Sequence, residues 1–200
     1  MESDRQASLF DAPVPLPAHL PEGLRYEPDF LDLDEERALI ALVRTLPFEA
    51  ARYKQYSARR RVVSYGGSFD YDANRLRPSA ELVVELHALR ARVAQWLGVE
   101  PAHLVHVLVA EYAPGTPLGW HRDVPDFEDV AGVSLGGEAT MRFRPYPPEQ
   151  PKRADIIRLA LAPRSIYLLR GIARWRWQHS VAPTNTLRWS ITFRTARRKH

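Results

Sequence analysis

Hydrophobic and polar positions along this chain follow two different periods, and the change between them falls near residue 104. Before it, "FLDLDEERALIALVRTLPF" places Leu39, Leu42, Val43 and Leu46 at i, i+3, i+4 and i+7. Asp32 and Glu35 have capping-box spacing ahead of that stripe, and Pro47 stops it, so the segment predicts a first amphipathic helix. A second stripe, Leu82, Leu86, Leu89, Val93 and Trp96, predicts a helix from an N-cap at Ser79 to Leu97, closed by Gly98. Between the two, "ARYKQYSARRRVVSYGGSFDYDANRL" reads as short strands and turns rich in arginine and aromatic residues. From residue 104 onward the period is two. "LVHVLVAEY", "ATMRFR", "RSIYLLR", "WRWQHSV" and "LRWSITFRT" are β-branched or aromatic runs separated by Pro and Gly, the pattern of an antiparallel sandwich or barrel. The expected class is therefore mainly β with N-terminal helices (α+β).

Composition adds limits. Residues 1–23 carry Pro13, Pro15, Pro17 and Pro21 with little apolar periodicity and read as a disordered lead-in, so one domain is expected over 24–196. The 200 residues, 45% of them hydrophobic, suffice for a single core, and a monomer is expected. Cysteine is absent, which excludes a disulfide framework, a thiolate metal site and a cysteine nucleophile. The sequence has no apolar run of membrane-spanning length and no basic-then-apolar leader, so the expectation is a soluble cytoplasmic protein without a membrane partner. A formal charge of +4 favours a polyanionic partner, depending on where the charge sits.

Two clusters carry candidate chemistry. "GWHRD" holds His121 and Asp123 two positions apart, on one face if the segment is a strand, and imidazole and carboxylate are ordinary ligands of first-row metals. A solvated surface pair is the bland alternative. A facial metal site needs a third ligand, and His179 in "WQHSV" is the candidate, because His103 and His106 precede the turn and His200 is terminal. In "RWSITFR", Arg188, Ser190, Thr192 and Arg194 face one way and Trp189, Ile191 and Phe193 the other. Two guanidiniums on the polar face call for an anion, for a neighbouring Asp or Glu, or for solvent. Trp175 and Trp177 alternate with His179 and are expected either to line its pocket or to pack, while Trp120, opposite His121, is expected in the core.

The order H-x-D, distant His, then Arg-x5-Arg in the last strand resembles the AlkB family of Fe(II)- and 2-oxoglutarate-dependent dioxygenases. The resemblance extends to "EYAPGTPLGWHRD", "VSLGGEATMRF", "LLRGIARWRWQHS" and "LRWSITFRT", and more loosely to "RRRVVSYGGSFDY". It implies a double-stranded β-helix, or jelly-roll barrel, over about 104–195, with a nucleotide-recognition-like lid over about 52–76. It implies that His121, Asp123 and His179 hold Fe(II) and that Arg188, helped by the Tyr112 hydroxyl, binds the distal carboxylate of 2-oxoglutarate. Arg194 would lie near the carboxylate that chelates iron, with Ser190 and Thr192 on the same face of the strand. The sequence departs from the family at two places: Ala110 and Ser190 stand where many members have Asn, which removes amide contacts to the co-substrate. The acidic residues that follow H-x-D are displaced into "VPDFED", so substrate contacts by Asp126 or Glu128 stay open.

The implied reaction uses O2 and 2-oxoglutarate for oxidative dealkylation of N-alkylated bases in DNA or RNA. Arg59, Arg60 and Arg61 would meet phosphates, and Tyr65, Phe69 and Tyr71 would stack on the flipped base. A solvated basic face over ordinary core aromatics is the alternative for that segment. The competing functions are an oxygenase acting on a protein side chain or small molecule, and a non-catalytic basic nucleic-acid-binding domain.

Overall fold

The computed structural model describes residues 20–53, 56–70, 75–77, 80–148 and 156–197, with the side chains of 52–58 and 68–79 outside that description. In chain order the elements are β1 (Leu24–Glu27), α1 (Leu33–Val43), β2 (Glu49–Tyr53), β3 (Tyr56–Tyr65), β4 (Ser68–Asp70) and β5 (Arg75–Arg77). There follow α2 (His87–Leu97), β6 (Leu104–Tyr112), β7 (Leu118–His121), β8 (Phe127–Gly136), β9 (Ala139–Pro145) and β10 (Ile157–Leu161). The last are β11 (Ile166–Leu169), α3 (Gly171–Trp175), β12 (Trp177–Val181) and β13 (Arg188–Ala196). Among the described residues no helix is long and apolar enough to cross a membrane.

The helix signals operate as their chemistry demands. Asp32 caps α1 by accepting from the Asp34 and Glu35 amides, and the Glu35 side chain returns to the Asp32 amide. At the other end of the helical region, Gly98 closes α2 in the left-handed conformation (φ 72°). The second helix is shorter than its hydrophobic stripe predicts. It begins at His87 after a 3-10 turn over Val84–Leu86, residues 80–83 are irregular, and the expected cap Ser79 lies outside the described residues. Leu82 and Leu86 still pack with the core, so the stripe marks burial, not helical extent.

Among the described residues eleven strands form two sheets, a seven-stranded one in the order β1-β11-β8-β13-β6-β3-β2 and a four-stranded one in the order β10-β9-β12-β7, while β4 and β5 pair only with each other. Among the described residues every pairing between strands is antiparallel, giving the double-stranded β-helix sandwich. The segment expected as a lid is continuous with the large sheet: β3 pairs β6 through Arg61–Tyr65, and β2 forms the edge beyond it.

Two apolar clusters divide the interior. One packs Val43, Leu89 and Val93 of the helices against Val107, Val109, Val133, Ile191 and Phe193 on the outer face of the large sheet. The other fills the space between sheets with Val130, Met141, Phe143, Leu159, Leu161, Leu169 and Val181. β13 runs through the middle of the large sheet, and Trp189, Ile191 and Phe193 belong to the helix-side cluster. Its alternate residues, Arg188, Ser190, Thr192 and Arg194, therefore face the space between the sheets. A polar lining thus exists in the centre of the barrel because one strand's apolar face is fully used by the helices.

Candidate active site

His121 and His179 are direct cross-strand partners on β7 and β12, so their side chains leave the same face, with ring centroids 4.2 Å apart. Asp123 does not share a strand with His121, because β7 ends at His121 and residues 122–124 are irregular. The expected strand alternation is thus not what brings the carboxylate in. The segment is held instead by the buried Arg174 of α3, whose Nη2 donates to the carbonyls of Asp123 (3.1 Å), Val124 (2.8 Å) and Phe127 (3.0 Å). Sequence periodicity gives no sign of this clamp, since it joins residues about fifty positions apart.

The donor atoms of His121, Asp123 and His179 lie within 4.8 Å of one another, and Asp123 Oδ2 stands 3.5 Å from His179 Nε2. Two donors bound at ~2.1 Å and at right angles on one ion are about 3 Å apart. The tautomers suit ligation. His121 Nδ1 is 2.9 Å from the Gly119 carbonyl, which only accepts, so Nδ1 carries the proton and Nε2 keeps its lone pair. Burial, reinforced by His121, lowers the His179 pKa to about 3, and burial also lowers that of His121, so both rings stay neutral. Burial works against the Asp123 charge, but Arg194, both imidazoles and Arg174 outweigh it and hold the carboxyl far below the usual range. Two neutral imidazoles and one carboxylate on one side of an ion leave its other positions open to small ligands, the arrangement of non-haem iron oxygenases.

The two arginines of β13 differ in commitment. Arg194 forks onto Asp123 Oδ1 through Nε (2.8 Å) and Nη2 (2.7 Å), and its Nη1 donates to His106 Nδ1 at 3.1 Å. Arg194 is therefore bonded to the Asp123 carboxylate and not left free for a co-substrate, which leaves Oδ2 as the oxygen that could meet a metal. His106, passed over in the sequence, is part of this network: burial and Arg194 lower its pKa to about 3, and it bonds the Gly67 backbone as well. Arg188 is 1% exposed, donates to Ser134 Oγ at 3.2 Å, and lies over the Tyr112 ring at 5.0 Å. Its Nε is buried without a partner among the described residues. A buried guanidinium with an unused donor and no carboxylate beside it is costly unless an anion completes it. The carboxylate of a dicarboxylic acid fits that requirement, as the ligand set fits iron.

Around Arg188 the walls are small or phenolic. Ser190 is the cross-strand partner of both Ala110 and Ser134, so the two positions that depart from the family pattern face each other across β13 and β6. Tyr167 of β11 lies across Gly132, where a Cβ would sit 2.4 Å from its Cε1, and Gly132 is in turn the partner of Thr192. Burial first, then the charges of Asp123 and Tyr112, push the Tyr167 pKa up, so the phenol stays protonated and able to donate. The sequence placed Tyr167 only in a strand; the one hint was Gly132, whose missing side chain makes room for the ring.

The remaining expectations separate by face. Tyr65 is 4% exposed and belongs to the helix-side core, pairing with Val107, so it is turned away from the site and unavailable for stacking. Arg61 shares that face and is neutralised by Glu111 (2.7 Å). Arg60 faces the opposite way with Val62 and is near enough to His121 to affect its charge, whereas Arg59 is exposed. The side chain of Phe69 and all of Tyr71 lie outside the described residues. Trp175 ends α3 instead of alternating with His179 in a strand, and its Nε1 donates to Glu128 at 2.9 Å; Trp177 packs half-buried against the inter-sheet core. Trp120 is not in the core but half-buried beneath Arg142 and Arg144, because β7 is an edge strand.

A family model described as the 2OG-Fe(II) oxygenase superfamily matches residues 23–194. The chain belongs to that superfamily. The oxygenase is 31% identical over 196 residues to a protein of Arabidopsis thaliana named "Alkylated DNA repair protein ALKBH8 homolog", covering 87% of this chain and 53% of that one. It thus spans about half the length of this curated relative. Among solved structures it resembles OsALKBH1 (TM-score 0.70, 16% identity, 88% and 100% of the two chains). It also resembles a prolyl-4-hydroxylase of Pseudomonas putida (TM-score 0.56, 17% identity, 88% and 94%). These likenesses bear out the AlkB-like resemblance and the double-stranded β-helix fold. The oxygenase is an oxidoreductase of a superfamily that uses Fe(II), 2-oxoglutarate and O2.

Proposed function

We propose that the oxygenase removes alkyl groups from N-alkylated bases in DNA or RNA, with His121, Asp123 and His179 holding Fe(II). The observation that carries the co-substrate assignment is the buried, incompletely bonded Arg188 inside the barrel. When bound, the iron with 2-oxoglutarate and O2 supplies the oxidation: one oxygen goes to succinate as CO2 is lost, and the other hydroxylates the N-alkyl carbon, which then leaves as aldehyde.

The chain's own residues do the rest. Arg188 takes the distal carboxylate in its planar fork, and the hydroxyls of Tyr112 and Tyr167 complete that end of the site. Tyr167 offsets the amide contacts missing at Ala110 and Ser190. Arg194 fixes one oxygen of Asp123 so that the other meets the metal, and Arg174 holds the backbone that carries Asp123. Arg59 and Arg60 lead a phosphate backbone toward the site, with Phe69 and Tyr71 the remaining candidates for stacking. Support for nucleic acid over protein comes from the ALKBH8-homologue likeness and from the +4 charge, while the prolyl-4-hydroxylase likeness keeps a side-chain substrate as the second reading. Intact-mass analysis decides between them. Methylated DNA and RNA oligomers and proline-rich or lysine-rich peptides are incubated with enzyme, Fe(II) and 2-oxoglutarate. Loss of a methyl group from an oligomer supports the proposal; gain of one oxygen by a peptide, with all oligomers unchanged, overturns it.

A further inference from the structure

Four arginines gather on the outer side of the four-stranded sheet, and among the described residues no carboxylate pairs with any of them. Arg142 and Arg144 on β9 and Arg158 on β10 alternate with Met141, Phe143 and Leu159, which fill the inter-sheet core. Arg158 and Arg142 are direct cross-strand partners. Like charges set opposite each other weaken a strand pair, so this arrangement costs stability unless something anionic covers it.

The side chains are also held in place. Arg142 Nε donates to Ser180 Oγ (2.9 Å) and Arg144 Nε to Gln178 Oε1 (2.8 Å), and both guanidiniums lie over the Trp120 ring, at 5.3 and 4.5 Å. Arg122, just past β7, stacks on Tyr146 at 3.7 Å. Anchoring through Nε and an aromatic face leaves the terminal amino groups of Arg142 and Arg144 without partners among the described residues. Preorganised guanidiniums with free ends are suited to phosphate oxygens.

We propose that this face is a phosphate-binding track for a single nucleic-acid strand, continuous with the active site. The proposal rests on the nucleic-acid reading of the site. Its geometry follows from β7, an edge strand that presents Trp120 outward and His121 inward, so a strand lying on the outer face reaches the metal ligands by turning around that edge. An acidic peptide offers the same charge without the flat bases that aromatic and guanidinium planes stack.

The test is the salt dependence of binding of a fluorescent single-stranded oligonucleotide to the full chain. Each phosphate contact contributes about 0.7 to the slope of log K against log salt. The triple variant Arg142→Gln, Arg144→Gln, Arg158→Gln should flatten the slope by about 2, and the corresponding triple Lys variant should keep it, since charge is what phosphate requires. Arg158→Gln alone, at an exposed position, should flatten it by about 0.7 and covers the case in which the triple variant does not fold. A wild-type slope in the Gln variants overturns the track while leaving dealkylation of bases standing. A wild-type protein that binds no oligonucleotide, or that binds polyglutamate instead, overturns both.

Discussion

Asp123 has its two oxygens in different surroundings, one fully engaged by Arg194 and the other turned toward His179, and that division would make a single carboxylate a directed ligand. The same economy operates at Arg188, whose fork is partly used by Ser134 and otherwise open. Arg188→Lys should weaken 2-oxoglutarate binding about 10-fold or more, on ~1.5–3 kcal/mol for a charged hydrogen bond, with metal affinity nearly unchanged. Tyr167→Phe should weaken it by a comparable factor with little change in melting temperature, and titration calorimetry reads both; unchanged affinity removes either residue from the site. His106 predicts a pH effect on the metal-free protein. Its folded pKa of about 3 lies below the ordinary value of 6.5, so the unfolded chain takes the proton first. The stability it contributes is complete above pH 6.5 and is lost progressively as pH falls toward 3. The depressed pKa of Asp123 adds a further loss at still lower pH. A melting temperature lower at pH 5 than at pH 7.5, with a smaller drop in His106→Gln, is the expected result.

Among the elements, β13 was the most legible, because strict alternation over Arg188–Arg194 leaves a central strand only one way to satisfy both faces. Phe193, fully buried on the helix side, should cost about 3–5 kcal/mol when changed to Ala, measured by chemical denaturation. α1 was equally legible through its capping box. β7 and α3 were not. The strand reading of "GWHRD" and of a run beginning at Trp175 does not hold, since the chain leaves β7 after His121 and forms a helical turn at Gly171–Trp175. Arg174 ties the two breaks together across the fold, a tertiary contact that no local period encodes. The start of α2 was misplaced for a related reason: Leu82, half-buried, and Leu86, buried, lie in irregular and 3-10 backbone, and burial alone produced the helical stripe. Tyr65 and Trp120 exchanged their expected surroundings. β3 turns Arg61, Val63 and Tyr65 to the helix side, and β7 lies at an edge with arginines to cover its tryptophan.

At the scale of the molecule, two sheets and a pair of helices divide the labour. The helices absorb one face of the large sheet and free the other to carry arginines and hydroxyls; the small sheet brings two histidines opposite them and presents a basic exterior. The cluster of His121, Asp123 and His179 and the inward-facing Arg188 were readable because each is tied to a strand period or to an ordered motif. Substrate contacts were not, because stacking depends on which face of β3 and of the β4–β5 hairpin meets the site, and sequence does not specify that. The reaction itself is tested most directly by measuring succinate and formaldehyde together, from 2-oxoglutarate and an N-methylated oligonucleotide, with Fe(II) and O2. Equal amounts of both products, abolished in His179→Ala and absent with the unmethylated oligonucleotide, are predicted. Succinate without formaldehyde, at a rate indifferent to every methylated oligonucleotide offered, would contradict base dealkylation as the function of this oxygenase.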